Sequence, residues 1–168
     1  SPIINKILEK KIINKIVKPT LIALNAKNNS YTGFLYVGLM VKNNEPYLVE
    51  YNVRMGDPEC QVIMPRLKTD LVKILIAALE NKLNKIKIKW NKNKCMTTVL
   101  CANGYPNRYK INKFINLEQV KLDKNSFIFH AGTKFIDGSL VSNGGRVLNI
   151  VVLGNSFSKI RDSIFKII

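Results

Sequence analysis

Residues 35–59, LYVGLMVKNNEPYLVEYNVRMGDPE, constrain the fold more than any other part of this chain. Two apolar runs, 33–41 and 46–53, flank the polar connector Lys42-Asn43-Asn44-Glu45. Asn followed by Asn ahead of Pro is turn chemistry, so the pattern predicts an antiparallel β-hairpin. Side chains alternate along a strand, which puts Glu50 and Asn52, at i and i+2, on one face. A carboxylate and an amide oxygen one pleat apart are hard donors that suit Mg²⁺ or Mn²⁺, with phosphate and water completing the shell. By spacing alone, Glu-x-Asn is common and a solvated strand end is the more usual reading of it. Beyond it, Arg54, Gly56, Asp57, Pro58 and Glu59 form a charged turn whose backbone favours Gly and Pro.

The length of 168 residues allows one sizeable core or two small ones. No apolar run approaches the ~20 residues of a membrane span, and no signal-peptide pattern opens the chain. Cys60, Cys95 and Cys101 lack zinc-site spacing and read as reduced thiols of a cytoplasmic protein. The net charge of +16 raises the question of a nucleic-acid partner. The chain, however, holds 22 Lys, 20 Asn and 21 Ile against 5 Arg, which is what a strongly AT-rich genome writes at tolerant positions. The lysines are also spread out, with little aromatic interleaving to make a stacking platform. Drift therefore accounts for the charge better than nucleic acid does.

Ser1-Pro2 opens the chain without an initiator Met, as in a segment of a longer protein. Residues 3–17 carry a helical apolar period, Pro19 interrupts it, and 20–27 form a second helix or its continuation before Asn28-Asn29-Ser30 ends it. Residues 70–83 predict a helix with a broad buried face and an N-cap at Thr69 or Asp70. Alternating Lys and Ile at 85–90 predict a short strand. The polar connector 91–94 divides two predicted domains, 1–90 and 91–168. In the second, strands are expected at 95–102, 127–134, 140–141 and 146–153. Turns fall at Asp137-Gly138 and Gly144-Gly145, and Ser156 caps a last helix. The fold class is α+β.

Among single residues, Arg54 is the candidate catalytic group, since a guanidinium can grip a carboxylate or phosphate with two bonds; a salt bridge to Asp57 or Glu59 is the competing role. Asp57, Arg146 and Thr133 are the candidates for substrate or phosphate binding, Arg146 because Gly144-Gly145 permits close backbone approach. His130, the one histidine, reads as a satisfied core residue rather than a catalyst. No P-loop, dinucleotide fingerprint or other Gly-rich phosphate cradle is present in the sequence.

The string Tyr-Thr-Gly-Phe-Leu-Tyr-Val-Gly-Leu-Met followed by Glu-Tyr-Asn-Val-Arg-Met-Gly-Asp-Pro-Glu-Cys-Gln-Val-Ile-Met-Pro-Arg-Leu closely resembles the glycinamide ribonucleotide synthetase family of ATP-grasp ligases. Further on, Gly-Tyr-Pro at 104–106, His-Ala-Gly-Thr at 130–133, the Asp-Gly turn and Gly-Gly-Arg-Val-Leu at 144–148 follow the family's order. The resemblance implies the C-terminal part of an ATP-grasp domain followed by a small antiparallel-sheet domain with a terminal helix. It implies ATP-dependent joining of glycine to 5-phosphoribosylamine through a glycyl phosphate, a step of purine biosynthesis. Glu50 and Asn52 fall where the family holds magnesium on the ATP phosphates. The nucleotide-contacting lysine and Gly-rich loop belong to an earlier part of such an enzyme, so the missing N-terminal part is the expected partner. Two other readings stand beside this one: a non-catalytic interaction module of the same fold, and a basic nucleic-acid-binding domain.

Overall fold

The computed structural model describes residues 4–168. In chain order its elements are α1 (Lys6–Ile12), a π-helical turn (Ile13–Val17), α2 (Lys18–Ala26), β1 (Tyr36–Lys42), β2 (Glu45–Asn52), α3 (Glu59–Ile63), α4 (Leu71–Leu79), β3 (Lys94–Cys101), β4 (Ser126–His130), β5 (Thr133–Ile136), β6 (Ser139–Ser142), β7 (Arg146–Gly154) and α5 (Phe157–Ile167). Two compact units result. The first runs to Gly56 and takes in Leu71–Lys87; the second joins Asp57–Asp70 to Ile88–Ile168. The connector 91–94 lies inside the second unit.

In the first unit, α1, the π turn and α2 follow without a break. Asn5 caps the start, its Oδ1 accepting from the Leu8 amide at 2.9 Å. Pro19 offers no N–H to the preceding turn, and the π turn absorbs the mismatch by sending the Lys18 amide back to the Ile13 carbonyl. The helix therefore continues through Pro19. It ends where Asn28 adopts φ 57°, with the Asn29 amide on the Leu24 carbonyl and the Asn28 amide on Asn25, a Schellman closure. The expected start at Ile3 and the Ser1-Pro2 opening lie outside the described residues.

The hairpin forms as its sequence predicts. Lys42 faces Glu45 across a two-residue turn in which Asn43 and Asn44 have φ 50° and 58°, the left-handed pair of a type I′ turn. A bulge interrupts the ladder: Gly38 faces Glu50 and Leu39 faces Leu48, so Val49 is unpaired. The helix is fastened to the hairpin at two places. The Glu45 carboxylate accepts from Lys11 and, at 2.8 Å, from Lys15. The Tyr51 hydroxyl lies 2.5 Å from that of Thr20, which itself donates to the Ile16 carbonyl. Leu8 and Ile16 are buried.

Helix α4 stops four residues short of the predicted 83, because Asn81 takes φ 55° and the Lys82 amide turns back to Ala77. Its broad apolar face is not buried as expected: Ala77 is, whereas Val72, Ile76 and Leu79 are at least half exposed. A nine-residue helix and a two-stranded ribbon offer too little surface to cover one another on every side.

The second unit is built on β7, central and antiparallel to both β3 and β4 in the order β3-β7-β4. Residues Val147 to Leu153 of β7 are buried throughout, which explains a run without polar alternation. On one face Ile150 and Val152 pack on Ile160 and Ile164 of α5. Burying each such side chain contributes about 1.5–3 kcal/mol. Ser156 occupies the N-cap position of α5, but its side chain makes no cap bond; its carbonyl accepts from the Ile160 amide at 3.0 Å.

Two sequence expectations fail in this unit. The strand expected at 127–134 is two strands in different sheets, because the chain bends at Ala131-Gly132. The bend needs Gly132: a Cβ there would stand 2.7 Å from both the Arg146 carbonyl oxygen and the Gly144 Cα. The strand expected at 85–90 is absent. A 3₁₀ turn occupies Leu83–Lys85, and Trp90 makes one isolated bridge, to Leu67. Pairing does not run back along 85–89 because the antiparallel partners of those residues would begin at Lys68, and α4 takes the chain out of extended form from Leu71. The β5–β6 hairpin turns at Asp137 and Gly138, φ 47° and 77°, as the Asp-Gly pair predicts. Among the described residues no helix is long and apolar enough to cross a membrane.

Candidate functional site

The end of β2 carries the first constellation. The Asn52 side-chain amide donates to Glu50 Oε1 at 2.9 Å, so strand alternation does bring the two side chains together. Glu50 has room to do this because Gly38 faces it; a Cβ on Gly38 would stand 2.9 Å from Glu50 Cγ. Turning the Asn52 amide over places its oxygen where its nitrogen lies. Two oxygens would then sit 2.9 Å apart, close to the ~3 Å edge of an octahedron with metal–oxygen bonds of about 2.1 Å. The donor set thus fits a small hard cation. No cluster of three or more His, Cys, Asp or Glu side chains exists among the described residues, so an ion held here would draw its other ligands from water or phosphate.

Arg54 follows two residues on, exposed, its Nη1 donating to the Met55 carbonyl at 2.9 Å. Of its two expected salt-bridge partners, Asp57 and Glu59, the first is engaged otherwise. The Asp57 carboxylate accepts from Gln61 at 2.9 Å and lies 3.4 Å from Arg146 Nη2, while Arg146 Nη1 donates to the Asp57 carbonyl at 3.0 Å.

That second constellation sits where β7 begins. Arg146 is followed by Val147, whose carbonyl accepts from Ala131, and the Arg146 carbonyl itself accepts from Gly132 at 2.8 Å. These bonds draw the β4–β5 bend and the Gly144-Gly145 turn together, and Thr133 begins β5 beside them. His130 is exposed rather than buried; its Nδ1 lies 3.0 Å from the Thr133 hydroxyl and fixes the bend from outside. Asp57, Arg146 and Thr133 are thus gathered in one unit, in company with Gln61. Sequence reading passed over Gln61, although its place four residues after Asp57, on the first turn of α3, was the available signal.

A helix-and-hairpin unit and a three-stranded antiparallel sheet backed by one helix are the elements expected of an ATP-grasp domain's end followed by its small C-terminal domain. Residues 1–60 match the family model described as phosphoribosylglycinamide synthetase, ATP-grasp (A) domain, and residues 95–168 match phosphoribosylglycinamide synthetase, C domain. The chain is 40% identical over 166 residues to the phosphoribosylamine–glycine ligase of Caldanaerobacter subterraneus, covering 96% of itself and 39% of that protein. It is 40% identical over 167 residues to the protein of the same name from Vigna unguiculata, covering 54% of it. A crystal structure of phosphoribosylamine–glycine ligase from Thermotoga maritima superposes with a TM-score of 0.80 at 32% identity, over 99% of this chain and 41% of that one. The chain belongs to the phosphoribosylglycinamide synthetase family and spans about two fifths of the length of most relatives it matches.

Proposed function

We propose that this chain supplies the metal-bearing strand and the C-terminal domain of a phosphoribosylamine–glycine ligase, acting with the N-terminal part that its relatives carry. The single observation that supports this most is the Glu50–Asn52 pair at 2.9 Å on β2, inside the stretch matched to the ATP-grasp domain. The reaction joins glycine to 5-phosphoribosylamine at the expense of ATP, giving glycinamide ribonucleotide, ADP and phosphate. A carboxylate is a poor electrophile, so glycine is first phosphorylated, and the amine of the sugar phosphate then displaces phosphate from the glycyl phosphate.

Glu50 and Asn52 hold Mg²⁺ or Mn²⁺, which when bound offsets charge on the ATP phosphates. Arg54 orients an anionic oxygen near that strand; Arg146, steadied by Asp57, and Thr133 hold substrate phosphate. No enzyme nucleophile is needed. The compartment is the cytoplasm, which keeps thiols such as Cys60, Cys95 and Cys101 out of disulfides.

The test is glycine-dependent ADP formation with 5-phosphoribosylamine and Mg²⁺, for the chain alone and for the chain joined to a relative's N-terminal part. Activity only in the joined protein, lost in Glu50→Ala, is the expected result. Activity that survives Glu50→Ala removes the metal assignment, and a folded but inactive joined protein leaves a non-catalytic module.

A further inference from the structure

A cavity of about 790 Å³ opens in the second unit between the end of β3, residues 103–115 and the start of β7. Its lining includes none of Glu50, Asn52, Asp57 and Arg146. Its walls are mainly apolar, with Leu100, Phe114, Val147 and Leu148 among them. Arg108, Lys110 and Lys113 line it as well, and no carboxylate does. None of the three cations has an ion pair among the described residues.

These groups stand on a fixed backbone. Gly104 turns the chain at φ 98°, and the Arg108 carbonyl fills its Cβ position to within 2.2 Å, so the loop closes on itself. The Lys113 amide donates to Ser142 Oγ at 3.0 Å, and the Ser142 amide donates back to the Lys113 carbonyl at 2.8 Å. The Asn112 amide adds a bond of 2.6 Å to the Ser142 carbonyl. Phe114 is nonetheless 67% exposed.

Three like charges that line one cavity, with no carboxylate among them, repel. An exposed phenyl ring beside an apolar cavity forgoes burial. One kind of ligand relieves both: an anionic head joined to a flat, largely apolar body. The volume lies within the ~300–1,000 Å³ usual for small-molecule sites, and a guanidinium flanked by two ammoniums matches a phosphate better than a lone carboxylate. We propose that this cavity binds a nucleoside monophosphate, with its phosphate on Arg108, Lys110 and Lys113 and its base against Phe114 and the apolar wall. A single-stranded nucleic acid would need aromatic platforms repeated along an open groove; here the cations line one bounded cavity.

The experiment is calorimetric titration of the chain with AMP, and in separate arms with adenosine, inorganic phosphate and a single-stranded oligoadenylate. AMP is expected to bind at least about tenfold more tightly than adenosine or phosphate, because each of these satisfies half the site. The double substitution Arg108→Glu with Lys113→Glu is expected to weaken AMP at least about tenfold, and Phe114→Ala by roughly five- to tenfold. All three side chains are exposed, so circular dichroism and melting should be unchanged in the variants. Three results would overturn the proposal: no AMP binding up to about 5 mM, AMP affinity unchanged in the double variant, or affinity that rises steadily with oligonucleotide length.

Discussion

The Arg146 guanidinium donates to the Asp57 backbone carbonyl at 3.0 Å and lies 3.4 Å from the Asp57 carboxylate, joining residues 89 positions apart. One end follows a Gly-Gly turn and the other opens the segment that becomes α3. The guanidinium touches carbonyl and carboxylate together because its donors form a rigid planar fork. Both side chains are about two fifths exposed, so the contact orients more than it stabilises. Arg146→Lys and Asp57→Asn are each expected to cost about 1 kcal/mol or less in urea denaturation. A loss above about 3 kcal/mol would mean a desolvated pair instead.

Gly132 separates β4 from β5 at a point of backbone contact. Gly132→Ala places a methyl carbon 2.7 Å from two backbone atoms that cannot swing aside, and is expected to cost about 1–3 kcal/mol or more. Gly138→Ala meets nothing within 4 Å and bears only its φ of 77°, a penalty of about 1–2 kcal/mol. Chemical denaturation of the two variants should rank them in that order.

Glu45 makes the first unit sensitive to acid. Hydrogen bonds from Lys11 and then Lys15 hold its carboxyl below the ordinary value of 4.5. A carboxyl lowered on folding contributes stability above its unfolded value, and that contribution is lost as pH falls through the folded value. The melting-temperature gap between the native chain and Glu45→Gln should therefore be open at about pH 7 and begin to close below pH 4.5. A gap that stays constant into the acid range would show that the carboxylate is not what holds α1 to the hairpin.

The three thiols differ in surroundings. Burial raises the Cys95 thiol above its ordinary 9.0, a rise that the nearby Arg66 only partly offsets, whereas Cys101 is exposed. Timed labelling with a thiol reagent near neutral pH should modify Cys101 first and Cys95 about tenfold more slowly. Equal rates would place Cys95 in a more open environment.

Much of this was legible in the chain because local chemistry dictated it. Asn43-Asn44 and Asp137-Gly138 are turns wherever they occur between apolar runs, since few other residues accept a left-handed backbone at little cost. Glu50 and Asn52 had to share a face once β2 was a strand, and the bulge at Val49 leaves that spacing intact because it precedes both. The helix extents were harder. Asn81, like Asn28, closes its helix, but a lone Asn in a helical pattern does not announce which conformation it will take. The alternation at 85–90 carried a true strand pattern and failed for want of a partner strand.

By itself, the sequence determined the hairpin, the α+β class, the meeting of Glu50 and Asn52 on one strand face and the family, because each of these depends on residues within a short span. Only the tertiary structure decided that Asp57 belongs with Arg146 and Gln61, and that residues 127–134 break at Gly132. The cavity walled by Arg108, Lys110, Lys113 and Phe114 likewise emerges only there. Those outcomes depend on which distant backbones come within hydrogen-bonding reach, a matter of long-range packing that no local pattern encodes.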